Sequence, residues 1–107
     1  MGKLGVLFGF FMLFCGNQLR AGTITVCNSC EVKTIKEGIA MAADFDTLLV
    51  KKGTYKEFNI RVNKPLSIIG EGYPVIDGED QGEIITIVSD NVTIDGLFII
   101  NVGTSYT

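Results

Sequence analysis

Two cysteines separated by two residues, Cys27 and Cys30, are the side chains of this sequence best suited to redox or metal chemistry. Thiolates are soft ligands that suit Cu(I), whereas an exported chain favours a disulfide between them. A redox-active pair is expected at the start of a helix in a βαβ unit, a setting that this sequence lacks. Two ligands alone are a weak indication of a metal site. After residue 22 the sequence has no histidine and no further cysteine that could supply a third ligand. We therefore interpret the pair as a disulfide, with copper bound at Cys27 and Cys30 as the alternative.

The absence of histidine from all 107 residues excludes several kinds of active site. A Ser/His/Asp triad, a Cys/His dyad and a His-ligated zinc or copper site all require that side chain. Carboxylates are the remaining candidates, either paired for sugar chemistry or clustered around calcium. The six that we consider, in turns or at the strand ends beside them, are Glu71, Asp77, Glu79, Asp80, Glu83 and Asp95. We interpret them as turn residues, with each Asp-Gly pair providing the positive φ of a bend.

Residues 1–22 have the pattern of an export signal. Lys3 precedes an uncharged apolar run, 4–14, which is shorter than the roughly 20 residues of a membrane helix. Cleavage is expected near Ala21, which predicts an exported, periplasmic protein that does not itself span the membrane. A lipoprotein anchored through Cys15 is the alternative, disfavoured because the bulky Phe14 precedes that cysteine.

The charge of the chain disfavours nucleic acid as a partner. Lys3 and Arg20 are two of the nine basic residues, and all 12 acidic residues follow residue 22. The mature part therefore carries 7 basic and 12 acidic side chains, a formal net charge of −5. Nucleic-acid binding generally depends on a basic patch that neutralises phosphates.

Residues 23–46 are predicted to form a strand, the cysteine pair and one helix. Thr23–Val26 alternates β-branched residues, and Thr34 with Glu37 forms a capping box that starts a helix over 34–43. Gly38 within that helix suggests a close approach to a sheet below it, and Met41 is expected to pack beneath the helix. The apolar face of the helix is predicted to comprise Ile35, Ile39, Ala42 and Ala43.

From residue 47 to residue 107 the sequence predicts short strands separated by turns, too closely spaced for βαβ units. The predicted strands are 47–50, 59–62, 66–69, 74–77, 84–87, 92–95 and 98–101. Lys51, Lys52 and Lys56 are assigned to a solvated turn, and Tyr55 is expected to pack at the first corner.

Three of these strands recur in the same order with nearly the same period. Residues 66–70 align with 92–96 at an offset of 26, Ile60 and Val62 align with Ile85 and Ile87 at 25, and 75–76 align with 99–100 at 24. A period of this length indicates a repeat architecture. The aligned Ile and Val side chains would stack inside successive coils, because a single coil cannot bury its apolar side alone.

A three-sided β-helix of about two coils satisfies this pattern. The helix over 34–43 would cover the open end and strand edges of the first coil, which otherwise invite aggregation. Because about three repeats are usually needed for stability, we expect residues 47–107 to be the first coils of a longer protein.

Several segments resemble the opening of right-handed parallel β-helix proteins with the pectin-lyase-like fold. They are 34–42, 46–57, 59–60 and 64–70. The continuation over 74–78 and 92–97 most resembles the NosD family, periplasmic maturation factors for the copper enzyme nitrous oxide reductase. That resemblance implies a non-enzymatic role in copper delivery, with an ABC-type membrane transporter, a copper chaperone and the reductase as partners. A polysaccharide-acting esterase or lyase, and a structural or adhesin β-helix, are the alternatives on the same fold.

Overall fold

A computed structural model describes residues 21–103 of the chain. The predicted export signal, apart from its last two residues, and the lipoprotein alternative at Cys15 lie outside the described residues. Those described form one helix and nine short strands, none longer than four residues. In chain order they are β1 (Thr23–Val26), α1 (Ile35–Met41), β2 (Thr47–Val50), β3 (Thr54–Lys56), β4 (Ile60–Val62), β5 (Ser67–Gly70), β6 (Val75–Asp77), β7 (Ile85–Ile87), β8 (Thr93–Asp95) and β9 (Phe98–Ile100).

The strands stack into three parallel sheets. The first has the order β1-β2-β5-β8, the second β3-β6-β9 and the third β4-β7. Every pairing between these strands is parallel, and each successive turn of the chain adds one strand to a sheet. The predicted fold, a parallel β-helix with a helix near its beginning, is therefore confirmed.

The coil number is somewhat higher than the predicted two. Strands β2–β4 and β5–β7 complete two coils, β8 and β9 begin another, and β1 adds a strand beside β2, which gives about three turns. Strand β3 was not predicted, because its short segment lies between lysines that suggested a solvated turn. Of those lysines, Lys52 and Lys56 are exposed, and Lys51 forms an ion pair with Glu71 at 2.6 Å.

Two of the three predicted strand alignments are correct. Ile68 pairs with Ile94 and Ile60 with Ile85, at the predicted offsets of 26 and 25. The third alignment is wrong by one residue, since Ile76 pairs with Ile99 rather than Ile100. The reason is a corner of different length: after the paired residues Ile69 and Asp95, five residues (70–74) precede Val75 but only two (96–97) precede Phe98, which reduces the offset from 26 to 23. A shift of one residue exchanges the inward and outward faces of a strand.

The core is a column of aliphatic side chains inside the coils. Leu48, Ile68 and Ile76 are fully buried, and Ile94 packs against the same cluster from the last described coil. Two ionisable side chains, Asp46 and Glu57, are also buried. All buried side-chain nitrogen and oxygen atoms within residues 21–103 have a hydrogen-bond partner.

Helix α1 covers the first coil, although it is shorter than predicted. Its N-terminus has the expected capping box: Glu37 N donates to Thr34 Oγ1 at 3.0 Å and the Glu37 side chain accepts from Thr34 N at 3.3 Å. The helix ends at Met41 because Ala42 adopts an extended conformation. The predicted helical, inward position of Ala43 is therefore wrong: it lies beyond the helix and is exposed.

Met41 does not pack beneath the helix as predicted, since 65% of its surface is exposed. It follows the buried Ile35 by six residues, which at 3.6 residues per turn places it well away from the buried face. The close approach expected at Gly38 is confirmed. A Cβ atom there would lie 2.8 Å from Leu48 Cδ2 and 3.1 Å from Val26 Cγ2.

Candidate functional site

The Cys27–Cys30 pair forms a disulfide in the loop that joins β1 to α1. The two Cα atoms are 5.0 Å apart, and both residues are partly buried. Backbone hydrogen bonds fix the loop independently of the sulfurs: Cys27 N donates to Val32 O at 3.1 Å and Cys30 N donates to Cys27 O at 3.2 Å. Lys33 Nζ also donates to Cys30 O at 2.7 Å. The loop is therefore held in place from both of its ends.

A disulfide presents no thiolate, so a metal ion could bind this pair only after its reduction. Within the part of the chain that the structure describes, no three His, Cys, Asp or Glu side chains are grouped as metal ligands would be. Copper binding at Cys27 and Cys30 stays a prediction.

Asp77, the last residue of β6, makes contacts that fit the turn interpretation. Asp77 Oδ1 accepts hydrogen bonds from Glu79 N and Asn101 Nδ2, both at 2.9 Å. The bond from Asn101, followed by that from Glu79, lowers the pKa of Asp77. The Asp77 carboxylate thereby ties the end of β6 to the next coil.

One detail of that interpretation is wrong. Positive φ falls on Glu79, at 53°, and on Asp80, at 61°, and Gly78 does not share it. A small residue is needed at Gly78 for packing instead, because a Cβ atom there would lie 2.7 Å from Ile84 Cγ1 and 2.8 Å from Asn101 O. The Asp95-Gly96 pair does behave as predicted, with Gly96 at φ 78°.

Two buried carboxylates that are not among the six candidates attach the N-terminal segment to the coils. Glu57, just after β3, accepts from Ile35 N at 2.7 Å and from Lys36 N at 3.1 Å, the first two amides of α1. Asp46, just before β2, accepts from Gly22 N at 2.8 Å and from Ala43 N at 2.9 Å. These amide bonds lower the pKa of Asp46, the one from Gly22 most. The only signal for Asp46 in the sequence is its position just before a predicted strand, and Glu57, which follows the unpredicted β3, shows none.

Tyr55 is buried as predicted, but it is the central residue of β3 and not part of a corner. Its ring is buried, and its hydroxyl donates to Lys51 O at 2.6 Å, with Val26 O a further 3.3 Å partner. Burial, and then the negative charge of Glu57, raise the pKa of Tyr55. The side chain is thus used for packing and does not face an open cleft.

A basic cleft lies between α1 and β4. It has a volume of about 290 Å³, and its charged and amide side chains are Lys36, Asn59, Arg61, Asn63 and Lys64. Ile39 and Ala40 of the helix contribute an apolar wall. This cleft could not be predicted from the sequence, because its residues belong to a helix, a strand and a turn that come together only when the chain winds.

The last described coil presents an apolar surface. Ile87, Phe98 and Ile99 are 49%, 56% and 40% exposed, and Val102 lies beside them. The partners of Ile87 and Ile99 in the preceding coil, Val62 and Ile76, are fully buried, whereas Val75, the partner of Phe98, is only partly buried. Ile87 and Ile99 are thus exposed by their position at the end of the described stack, whereas Phe98 lies on the outer face of β9. Helix α1 covers the opposite end.

The stacked sheets define the chain as a parallel β-helix protein. The chain matches no protein-family model, no curated protein and no solved structure. Among residues 21–103, no helix is long and apolar enough to cross a membrane.

Proposed function

We propose that this chain acts as an exported, non-enzymatic β-helix accessory protein of the NosD type, which assists copper delivery to nitrous oxide reductase. Its partners would be an ABC-type membrane transporter, a copper chaperone and the reductase. The sequence resemblance suggests this role, and the parallel β-helix is the fold that the resemblance implies.

The observation that carries the proposal is the placement of Cys27 and Cys30. Backbone hydrogen bonds from Cys27 N to Val32 O and from Cys30 N to Cys27 O fix their loop. Reduction of the disulfide would therefore leave the two sulfurs adjacent. Two adjacent thiolates form a soft site that suits Cu(I). Because an oxidised pair cannot bind the ion, copper loading would require an external dithiol to reduce the disulfide to two thiols first, the dithiol itself being oxidised to a disulfide.

Three of the six candidate carboxylates favour the non-enzymatic proposal, because they are already engaged by neighbouring groups. A glycosidase of the usual kind requires two carboxyl groups free to face the scissile bond. Asp77 is engaged by Asn101 and Glu79, Glu71 by Lys51, and Glu83 Oε1 accepts from Thr86 Oγ1 at 3.0 Å. Each of these carboxylates has a partner within the coils.

Titration of the full chain with Cu(I) in the presence of a competing chelator tests the site. The reduced protein is expected to bind one Cu(I), whereas the oxidised protein and the Cys27→Ser/Cys30→Ser variant bind none. Ser29→Ala, in the same loop but without a change of thiol, is the matched control and should bind as the parent does. Equal copper binding by the parent and the double serine variant would remove the pair from consideration.

Copper transfer tests the role itself. Reduced, Cu(I)-loaded chain is incubated with copper-free nitrous oxide reductase, and the metal content of the separated reductase is measured. We expect transfer from the parent protein and none from the double serine variant treated in the same way. A reductase that gains no copper from the loaded parent would contradict the proposed function.

A further inference from the structure

The basic cleft between α1 and β4 concentrates positive charge on an acidic protein. Lys36, Arg61 and Lys64 are three of the seven basic residues after residue 22, in a segment whose formal net charge is −5. The salt bridge found within residues 21–103 joins Lys51 and Glu71, and neither residue lines the cleft. The three cations of the cleft therefore have no carboxylate within ion-pair distance in the described part of the chain.

The two buried acids of this region bind backbone amides rather than forming ion pairs with the cleft, although the charge of Lys64 helps to lower the pKa of Asp46. The two carboxylate oxygens of Glu57 accept from Ile35 N and Lys36 N, and so serve the start of the helix. Like charges gathered in a concave site raise the local concentration of counter-ions, because the low-dielectric walls focus the field. An anion in the cleft would relieve this repulsion.

The two lysines are held at the sides of the cleft by contacts that leave donors free. Lys36 Nζ lies 5.4 Å from the centre of the Phe58 ring, in a cation–π arrangement. Lys64 Nζ donates to Ala42 O at 2.8 Å, beside the end of α1. An ammonium group has three donors, so Lys64 retains two for a ligand. Side chains already held in place lose less conformational entropy when a ligand binds.

Arg61 is the group best suited to contact the anion. It is the exposed central residue of β4, flanked by the buried Ile60 and Val62 and paired through its backbone with Thr86. Its guanidinium makes no hydrogen bond to the described residues. That planar group binds carboxylates and phosphates through two parallel hydrogen bonds.

We propose that this cleft binds the oxyanion group of a small polyhydroxylated ligand, such as an acidic or phosphorylated sugar. Arg61 contacts the oxyanion in a bidentate manner, and Lys36 and Lys64 flank it. The amides of Asn59 and Asn63 offer both donors and acceptors for hydroxyl groups. The volume of about 290 Å³ lies at the small end of ligand pockets, which suits a single sugar unit. The cleft shares no residue with the proposed copper site, so the two proposals are tested independently.

Calorimetric titration of the full chain at low ionic strength tests the proposal with four probes: glucuronate, glucose 6-phosphate, inorganic phosphate and glucose. We expect glucuronate, glucose 6-phosphate or both to bind more tightly than phosphate, and neutral glucose to give no signal. The tighter of the two acidic sugars identifies the carboxylate or the phosphate as the preferred group. High salt should weaken binding, since exposed charges are screened.

Variants locate the site. Arg61→Gln should weaken binding by about tenfold or more, the effect of losing one charge-assisted contact, and Arg61→Lys should fall between it and the parent. Lys56→Gln removes an exposed cation of β3 outside the cleft and should bind as the parent does. Thermal unfolding verifies that each variant is folded. Absence of binding by both acidic sugars, equal binding of glucose, or parental affinity in folded Arg61→Gln would overturn the proposal.

Discussion

Ile68 of β5 lies in parallel register with Ile94 of β8, one coil further along the chain, and the Ile68 side chain is fully buried. Leu48 of β2 occupies the same position on its other side. Truncating one side chain of this column would leave a void between its two neighbours, because close-packed interiors relax only in part.

Ile68→Ala is therefore expected to lower the free energy of unfolding by about 2–5 kcal/mol. Ile87→Ala is the matched control, since it deletes the same atoms from a side chain that is 49% exposed at the end of the stack. Its expected cost is about 1 kcal/mol, because roughly half of that side chain already contacts water. Urea denaturation followed by circular dichroism compares the two variants. Equal destabilisation would show that the column is not the main source of stability.

In Gly38→Ala, a favourable gain in helix propensity is opposed by an unfavourable overpacking of the core. Alanine is favoured over glycine within a helix by about 1 kcal/mol, but the added methyl would lie 2.8 Å from the Leu48 side chain, which is fully buried and cannot move into solvent. Overpacking of this kind costs about 1–3 kcal/mol. We expect a net loss of stability of up to about 2 kcal/mol, the difference between the two effects.

Ala40→Gly, at an exposed position of the same helix, is the companion measurement. It should lower stability by about 1 kcal/mol through propensity alone. If Gly38→Ala instead raised the denaturation midpoint, the contact between α1 and β2 would be looser than the structure shows.

Much of the fold was predictable because its cause is periodic. Ile60 and Ile68 recur as Ile85 and Ile94, and stacking requires such positions to be apolar in every coil. The alignment of Ile76 was missed because it depends on the length of a corner, which no apolar period records. Strand β3 was missed for a related reason: Tyr55 is the one buried residue of its three, and lysines border it.

The candidate sites also differ in whether the sequence alone could predict them. Cys27 and Cys30 are neighbours in sequence, so their chemistry was visible before the fold was known. Lys36 and Arg61 are separated by 25 positions, and only the placement of α1 over the first coil brings them to one cleft. Glu57 showed no signal of its burial, because its partners are backbone amides, which every residue except proline carries.

Glu57→Gln tests how strongly the helix is attached to the first coil. The parent carboxylate accepts from Ile35 N and Lys36 N, whereas a glutamine offers one oxygen and turns its NH₂ group toward the second amide. A buried amide without a partner costs about 1–3 kcal/mol, and the variant should lose that much stability. Faster hydrogen exchange at the amides of α1 should accompany the loss.

Glu71→Gln is the matched control for that substitution. Glu71 also accepts a hydrogen bond, but from the exposed Lys51 ammonium, and exposed ion pairs contribute about 0–1 kcal/mol. A loss in Glu57→Gln no larger than that in Glu71→Gln would mean that α1 is held mainly by its apolar face.

Acid should weaken the attachment of the N-terminal segment through Asp46. Amide bonds from Gly22 and Ala43 hold its folded-state pKa below the ordinary value of 3.8. A lowered folded-state pKa gives stability that is present above the unfolded-state pKa and is lost as the pH falls through the folded-state value. The lowered pKa of Asp77 acts in the same direction. Stability should therefore decline as the pH falls below about 4, near the unfolded-state pKa of an aspartate.

Asp46→Asn isolates the contribution of one carboxylate. An asparagine has a single acceptor oxygen, so the variant should be less stable than the parent at neutral pH. The two should converge in acid, where the protonated carboxyl also retains one good acceptor. Asp44→Asn, an exposed position two residues earlier, is the control and should follow the parent curve. Urea midpoints measured from pH 7 to pH 2 give the comparison, and parallel curves for the parent and Asp46→Asn would exclude Asp46 as a source of the acid sensitivity.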